Sequence, residues 1–200
     1  MRLIYVLAAG LALAPLPARA QEAQHLFVAP MGQPFRGETA AAAMDAWFNA
    51  ADADQDGQLT RDEFVAHAMP FHAMLDRNSD GVVTAVESSA LFRATAPEMY
   101  APLPPLRGAQ AQMPRDPGRM IQPRERDGRD TRLRGAARFG LLGDIEPVMS
   151  CDADMSRWVD ADEFRACAER RFSLLDSNAD GLFTLADSPR AAALRAGHED

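Results

Sequence analysis

The chain has 200 residues and a formal net charge of −8, with 29 acidic side chains against 21 basic ones, all of them arginine. That balance argues against nucleic acid as the main partner and suits cation binding. Two cysteines, Cys151 and Cys167, fit an oxidising compartment and one disulfide; two thiols without a neighbouring histidine make a poor zinc site. His25, His67, His72 and His198 are scattered and read as surface or packing residues.

The first stretch reads Met1-Arg2, an apolar run from Leu3 to Leu16, then Ala18-Arg19-Ala20. This is the pattern of a signal peptide over residues 1–20, with cleavage between Ala20 and Gln21. The run is shorter than the roughly 20 residues a spanning helix needs, and Pro15 and Pro17 interrupt its end. The expected location is therefore periplasmic or secreted. Residues 21–37 hold two prolines and no helical period, and read as a mobile N-terminal arm. Its Leu26, Phe27 and Val28 could dock on a groove. From Glu38 an alanine-rich helix is predicted to about Ala51, with Met44, Trp47, Phe48 and Ala51 on one apolar stripe.

The most informative stretch follows: Asp52, Asp54 and Asp56 stand at positions 1, 3 and 5 of a twelve-residue loop. Gly57 follows at position 6, Leu59 at position 8 and Glu63 at position 12. Alternate side chains of a tightly coiled loop point at one centre, the Gln58 carbonyl adds an oxygen, and Glu63 reaches back with both of its own. A second loop carries Asp76, Asn78, Asp80, Gly81, the Val82 carbonyl and Glu87. Another carries Asp176, Asn178, Asp180, Gly181, the Leu182 carbonyl and Asp187. A degenerate copy runs from Asp152 through Asp154 and Ser156 to Glu163, with Arg157 in place of the glycine.

With these loops the chain resembles the EF-hand superfamily, and more narrowly small exported (periplasmic) EF-hand proteins of Gram-negative bacteria. The resemblance covers about residues 38–95 and 139–195. It implies an all-α fold with calcium as the ligand. The expected architecture is two EF-hand pairs: residues 38–95, then a Pro/Arg-rich linker over 96–138, then residues 139–200. The linker carries nine arginines against four acids from Arg107 to Arg138, a net of +5.

The loops of each pair start 24 residues apart (76 − 52 and 176 − 152). The family's pairing mode predicts Leu59 against Val83. A straight helix of fifteen residues, about 22 Å long, would hold those loops apart, so Pro70 reads as a hinge. Pairing in the second lobe stays open.

The loops differ in expected strength. The first two should bind calcium. Asp187 is one methylene shorter than glutamate, which lowers calcium affinity and brings magnesium closer to acceptable. Arg157 needs a left-handed backbone at a cost of roughly 1–2 kcal/mol, so the third hand is expected to be weak or empty. The EF-hand geometry that the resemblance implies brings Cys151 near Cys167, which suggests a disulfide bracing that hand; two free buried thiols are the alternative.

The function expected is a calcium buffer or sensor and not an enzyme, since no nucleophile–base pair, phosphate-cradling loop or catalytic metal triad is found. One alternative is an interaction protein presenting Met44, Met69 and Met74 in a groove to an unidentified protein partner. Another is an envelope-associated protein whose membrane contact is peripheral, through arginines on anionic lipid.

Overall fold

The computed structural model describes residues 24–102 and 133–197. The leader read at residues 1–20, most of the Pro/Arg-rich segment and His198 lie outside the described residues. In chain order the first half holds β1 (His25–Val28), β2 (Pro34–Gly37), α1 (Ala40–Ala51), β3 (Leu59–Thr60), α2 (Arg61–Leu75), β4 (Val82–Thr84) and α3 (Ala85–Thr95). The second half holds β5 (Trp158–Asp160), α4 (Ala161–Leu175), β6 (Leu182–Phe183) and α5 (Pro189–Arg195). Six short strands thus accompany five α-helices among the described residues. The fold is mixed, and the all-α expectation is overturned. No helix among the described residues is long and apolar enough to cross a membrane.

The two halves repeat each other at a spacing of 100 residues (152 − 52, 176 − 76). Their central helices, α2 and α4, each run fifteen residues without a break. Pro70 lies inside α2, and both it and Ala66, whose carbonyl it leaves without a helical partner, are on the exposed side. Water therefore offsets the lost hydrogen bond, and the helix continues. A continuous α2 holds its two loops about 22 Å apart, so they cannot pair with each other.

They pair across the halves instead. β3 of the first loop runs antiparallel to β6 of the last, matching Leu59 with Phe183. β4 pairs with β5, matching Val83 with Val159. The predicted Leu59–Val83 pairing is therefore wrong, and so is the picture of two separate lobes. Between the two loop pairs, α2 and α4 pack antiparallel: Phe64 at the start of α2 meets Phe172 at the end of α4 (6.0 Å between rings), and His72 meets Phe164 (5.4 Å). Buried residues of both halves form one hydrophobic core.

Residues 24–37, the described part of the expected arm, are not mobile. β1 and β2 form a hairpin with Phe27 opposite Phe35, and Leu26, Phe27 and Val28 are all buried. Phe27 stacks at 5.6 Å on Trp47, so the hairpin covers the apolar stripe of α1. The Val28 amide donates to the Phe139 carbonyl (2.9 Å), and Arg36 grips both Glu98 oxygens (2.9 and 3.1 Å). A Cβ on Gly140 would stand 2.6 Å from the Val28 carbonyl, so only glycine permits this approach.

The linker boundaries also shift. Met99, in a 3₁₀ turn at Pro97–Tyr100, and Ala136, in another at Gly135–Arg138, belong to the core. The second half departs from the first before its first loop, where a 3₁₀ turn, Met149–Cys151, stands in place of the helix that α1 supplies. Gly140, Gly143 and Pro147 in that stretch oppose a longer helix.

Phe27→Ala tests the hairpin's role. With its ring wholly buried against Trp47, the substitution should lower unfolding free energy by about 3–5 kcal/mol in denaturant titrations. A mobile arm would leave the unfolding midpoint unchanged.

Candidate metal centre

Four loops stand at the ends of α2 and α4, and their backbones coil alike. In each, a residue at position 4 has φ near 60° (Gln55, Ser79, Met155, Ala179). The residue at position 6 then takes φ between 78° and 90° (Gly57, Gly81, Arg157, Gly181). The position-6 amide donates at 2.9 Å to the position-1 carboxylate in every loop: Asp52, Asp76, Asp152 and Asp176. Arg157 thus adopts the glycine conformation despite its Cβ, at a cost of roughly 1–2 kcal/mol.

The position-12 acid does two jobs. Glu63 closes a capping box at the start of α2, accepting from the Thr60 amide (2.9 Å) and hydroxyl (2.6 Å). Its other oxygen reaches back across the loop to the Ala53 amide at 3.0 Å. The Thr60 hydroxyl bond holds the Glu63 carboxyl below its ordinary range, so it is ionised at neutral pH. Glu87 repeats the arrangement with Thr84 and the Arg77 amide, and Glu163 accepts from the Asp160 and Ala153 amides. Asp187 caps through Thr184, but its shorter arm does not reach the loop's second amide; Ser177 donates to the Leu175 carbonyl instead. The missing methylene therefore has a visible consequence.

At the loop centres the donors are oxygens. One oxygen each from Asp52, Asp54 and Glu63 lies within 4.8 Å of the others, and the same holds for Asp152, Asp154 and Glu163. Asp52 is 5% exposed, and its Oδ1 is buried without a hydrogen-bond partner. Asp56 turns an oxygen to the Gln58 amide (2.8 Å). In the second and fourth loops the amide nitrogens of Asn78 and Asn178 donate to Asp80 (2.8 Å) and Asp180 (2.9 Å), whose other oxygens accept from Val82 and Leu182. In the third loop Ser156 donates to the Trp158 carbonyl at 3.0 Å. An all-oxygen set around a buried, unpaired carboxylate oxygen fits a hard divalent cation.

A family model described as EF hand matches residues 44–67, which span the end of α1, the whole first loop and the start of α2. The match and the acidic cluster fit an EF-hand calcium-binding protein. No curated protein and no solved structure matches the chain significantly. The first EF-hand loop is thus supported by both sequence match and geometry, and its donors suit a divalent metal ion.

Around the hands, Cys151 and Cys167 form a disulfide with 5.3 Å between Cα atoms, tying the 3₁₀ turn before the third loop to α4. Sequence reasoning missed two other anchors. His72 is 5% exposed and bonds through Nε2 to the Val159 carbonyl (3.0 Å), so α2 supports the strand of the third loop. Arg171, 4% exposed, reaches Asp144 (2.9 Å) and Ser150 (2.7 Å). Burial pushes the Arg171 guanidinium pKa down, and Asp144 opposes that. The threonines that cap the position-12 acids were readable, because Thr-x-x-Glu before an apolar run is a capping signal.

Cross-pairing makes a specific prediction. Glu63→Gln should remove one calcium from the titration and weaken the Asp176 loop, which shares its strand pair, more than the Asp76 loop. Site-resolved NMR titration checks this; equal weakening of both would contradict the coupling. Arg157→Gly should raise the unfolding free energy by about 1–2 kcal/mol by relieving the left-handed strain already present in the folded loop, measured in denaturant titrations.

Proposed function

We propose that this chain is an exported calcium buffer, not an enzyme, whose bound ions also staple its fold. The observation that carries the reading is Asp52 Oδ1, a buried carboxylate oxygen without a hydrogen-bond partner, grouped with Asp54 and Glu63. Burying such an oxygen unpaired is costly, and a hard cation is the partner that removes the cost. The Cys151–Cys167 disulfide supports an oxidising compartment. Calcium is abundant there, so loops with dissociation constants of roughly 10⁻⁴–10⁻³ M would fill.

Support for a buffer over a sensor comes from how the apolar faces are used. The stripe of α1 is covered by the hairpin, and α2 and α4 cover each other. Of the three methionines in the alternative groove reading, Met44 is wholly buried, Met69 is half-buried and Met74 is exposed, so they do not line one open surface.

Calorimetric titration of the full chain with calcium and then magnesium, with thermal unfolding at each step, tests the proposal. At about tenfold excess over the dissociation constant, each filled site adds about 1.4 kcal/mol, or roughly 3–6 °C in midpoint. Fluorescence of an apolar dye should stay unchanged on calcium addition. A rise in dye binding would favour a sensor, and no heat of calcium binding would overturn the reading.

A further inference from the structure

The third hand has no long entering helix, so another group must hold Asp152, the first residue of its loop. In the first hand the Asp52 amide donates to the carbonyl of Phe48 in α1 (2.9 Å). In the third, the Asp152 amide donates to the Met149 carbonyl (3.2 Å), in a 3₁₀ turn of three residues. A turn that short has little order of its own. Its first amide, that of Met149, donates to Glu146 Oε2.

The other oxygen of Glu146 belongs to the second hand. Oε1 accepts from the Ser88 hydroxyl at 2.7 Å, and Ser88 is only 1% exposed. Ser88 follows Glu87, the position-12 acid of the second loop, in the first turn of α3. One carboxylate therefore joins the exit of the second loop to the entrance of the third. Both bonds are charge-assisted, roughly twice as strong as neutral ones. The residue 100 positions earlier is Ala46, on α1, where a helix does the holding instead.

We propose that Glu146 is the positioning residue of the third hand and passes the calcium state of the second hand to it. The inference rests on the calcium reading above. An ion in the second loop fixes Glu87, and with it the first turn of α3 and the Ser88 hydroxyl. Ser88 then holds Glu146 in the orientation that orders the Met149 turn and seats Asp152. A loop ordered in advance leaves its ion less ordering to impose, so filling the second loop raises the affinity of the third. By reciprocity, filling the third raises that of the second. The β4–β5 pair already links these loops through Val83 and Val159, and Glu146 adds a separate side-chain route.

The test is an NMR titration of the full chain with calcium. It follows the amides of Gly57, Gly81 and Arg157, each bonded to the position-1 carboxylate of its own loop. Glu146→Ala should weaken binding read at Arg157 about tenfold and change that read at Gly57 by less than about twofold. Glu87→Gln, which cripples the second loop, should weaken the third about fivefold in the wild-type background and much less beside Glu146→Ala. Ser88→Ala keeps the Met149 bond, so the turn stays seated, and should shrink the Glu87→Gln effect in the same way. A Glu87→Gln effect of equal size in all three backgrounds would overturn the proposal, because the strand pair alone would then carry the coupling. So would an Arg157 amide that calcium leaves unmoved while Gly57 responds, an outcome that keeps the calcium reading. An unmoved Gly57 would overturn both.

Discussion

The antiparallel contact of α2 with α4 is the constraint on which the remaining structure depends. Each helix starts at one loop and finishes at another, about 22 Å away, whereas paired strands must lie about 4.8 Å apart. A helix of that length cannot bring its own two loops together. An antiparallel partner of equal length supplies a loop at each end, which is what the Leu59–Phe183 and Val83–Val159 pairs record. The ring contacts Phe64–Phe172 and His72–Phe164 are related by the same spacing of 100 residues, so the packing repeats around a pseudo-two-fold axis.

Where the halves differ, other contacts take over. The third hand lacks a counterpart of α1, and the space is closed by the hairpin, the Cys151–Cys167 bond and Arg171. Arg171 stands where the first half has Phe71, and its buried charge draws in Asp144 and Ser150 from the irregular segment. Such an ion pair, buried on the Arg171 side and half-exposed on the Asp144 side, adds little net stability, because desolvation of the guanidinium offsets attraction, but it fixes which groups must sit together. The hairpin then makes the first half depend on the second through the Val28–Phe139 bond.

The loops inherit their order from the helices. A position-12 glutamate that is also the third residue of a capped helix is held in place before any ion arrives, and Thr60 and Thr84 do that holding. Less ordering is left for the cation to impose. Asp187 shows the limit of the device, since it keeps its cap and loses its reach across the loop.

Much of the site could be read from the chain, because ligand spacing within twelve residues is a local property. The positions of Asp52, Asp54, Asp56 and Glu63, the glycine turns and the α1 stripe all follow from short-range geometry, while the cysteine pair was implied by the EF-hand resemblance. The pairing of loops could not be read, because Leu59 and Val83 are as apolar as Val159 and Phe183 and any of them would suit a position-8 contact. That choice rested on whether Pro70 bends α2, and it was made by solvent access to the Ala66 turn and by the face α4 offers. The hairpin was illegible for a similar reason. Leu26, Phe27 and Val28 show no alternation, since all three are buried between Trp47 on one side and the segment around Phe139 on the other. The sequence by itself therefore determined the chemistry of each loop, while only the tertiary structure decided which loops are neighbours, because that depends on helix length and straightness acting over some 22 Å.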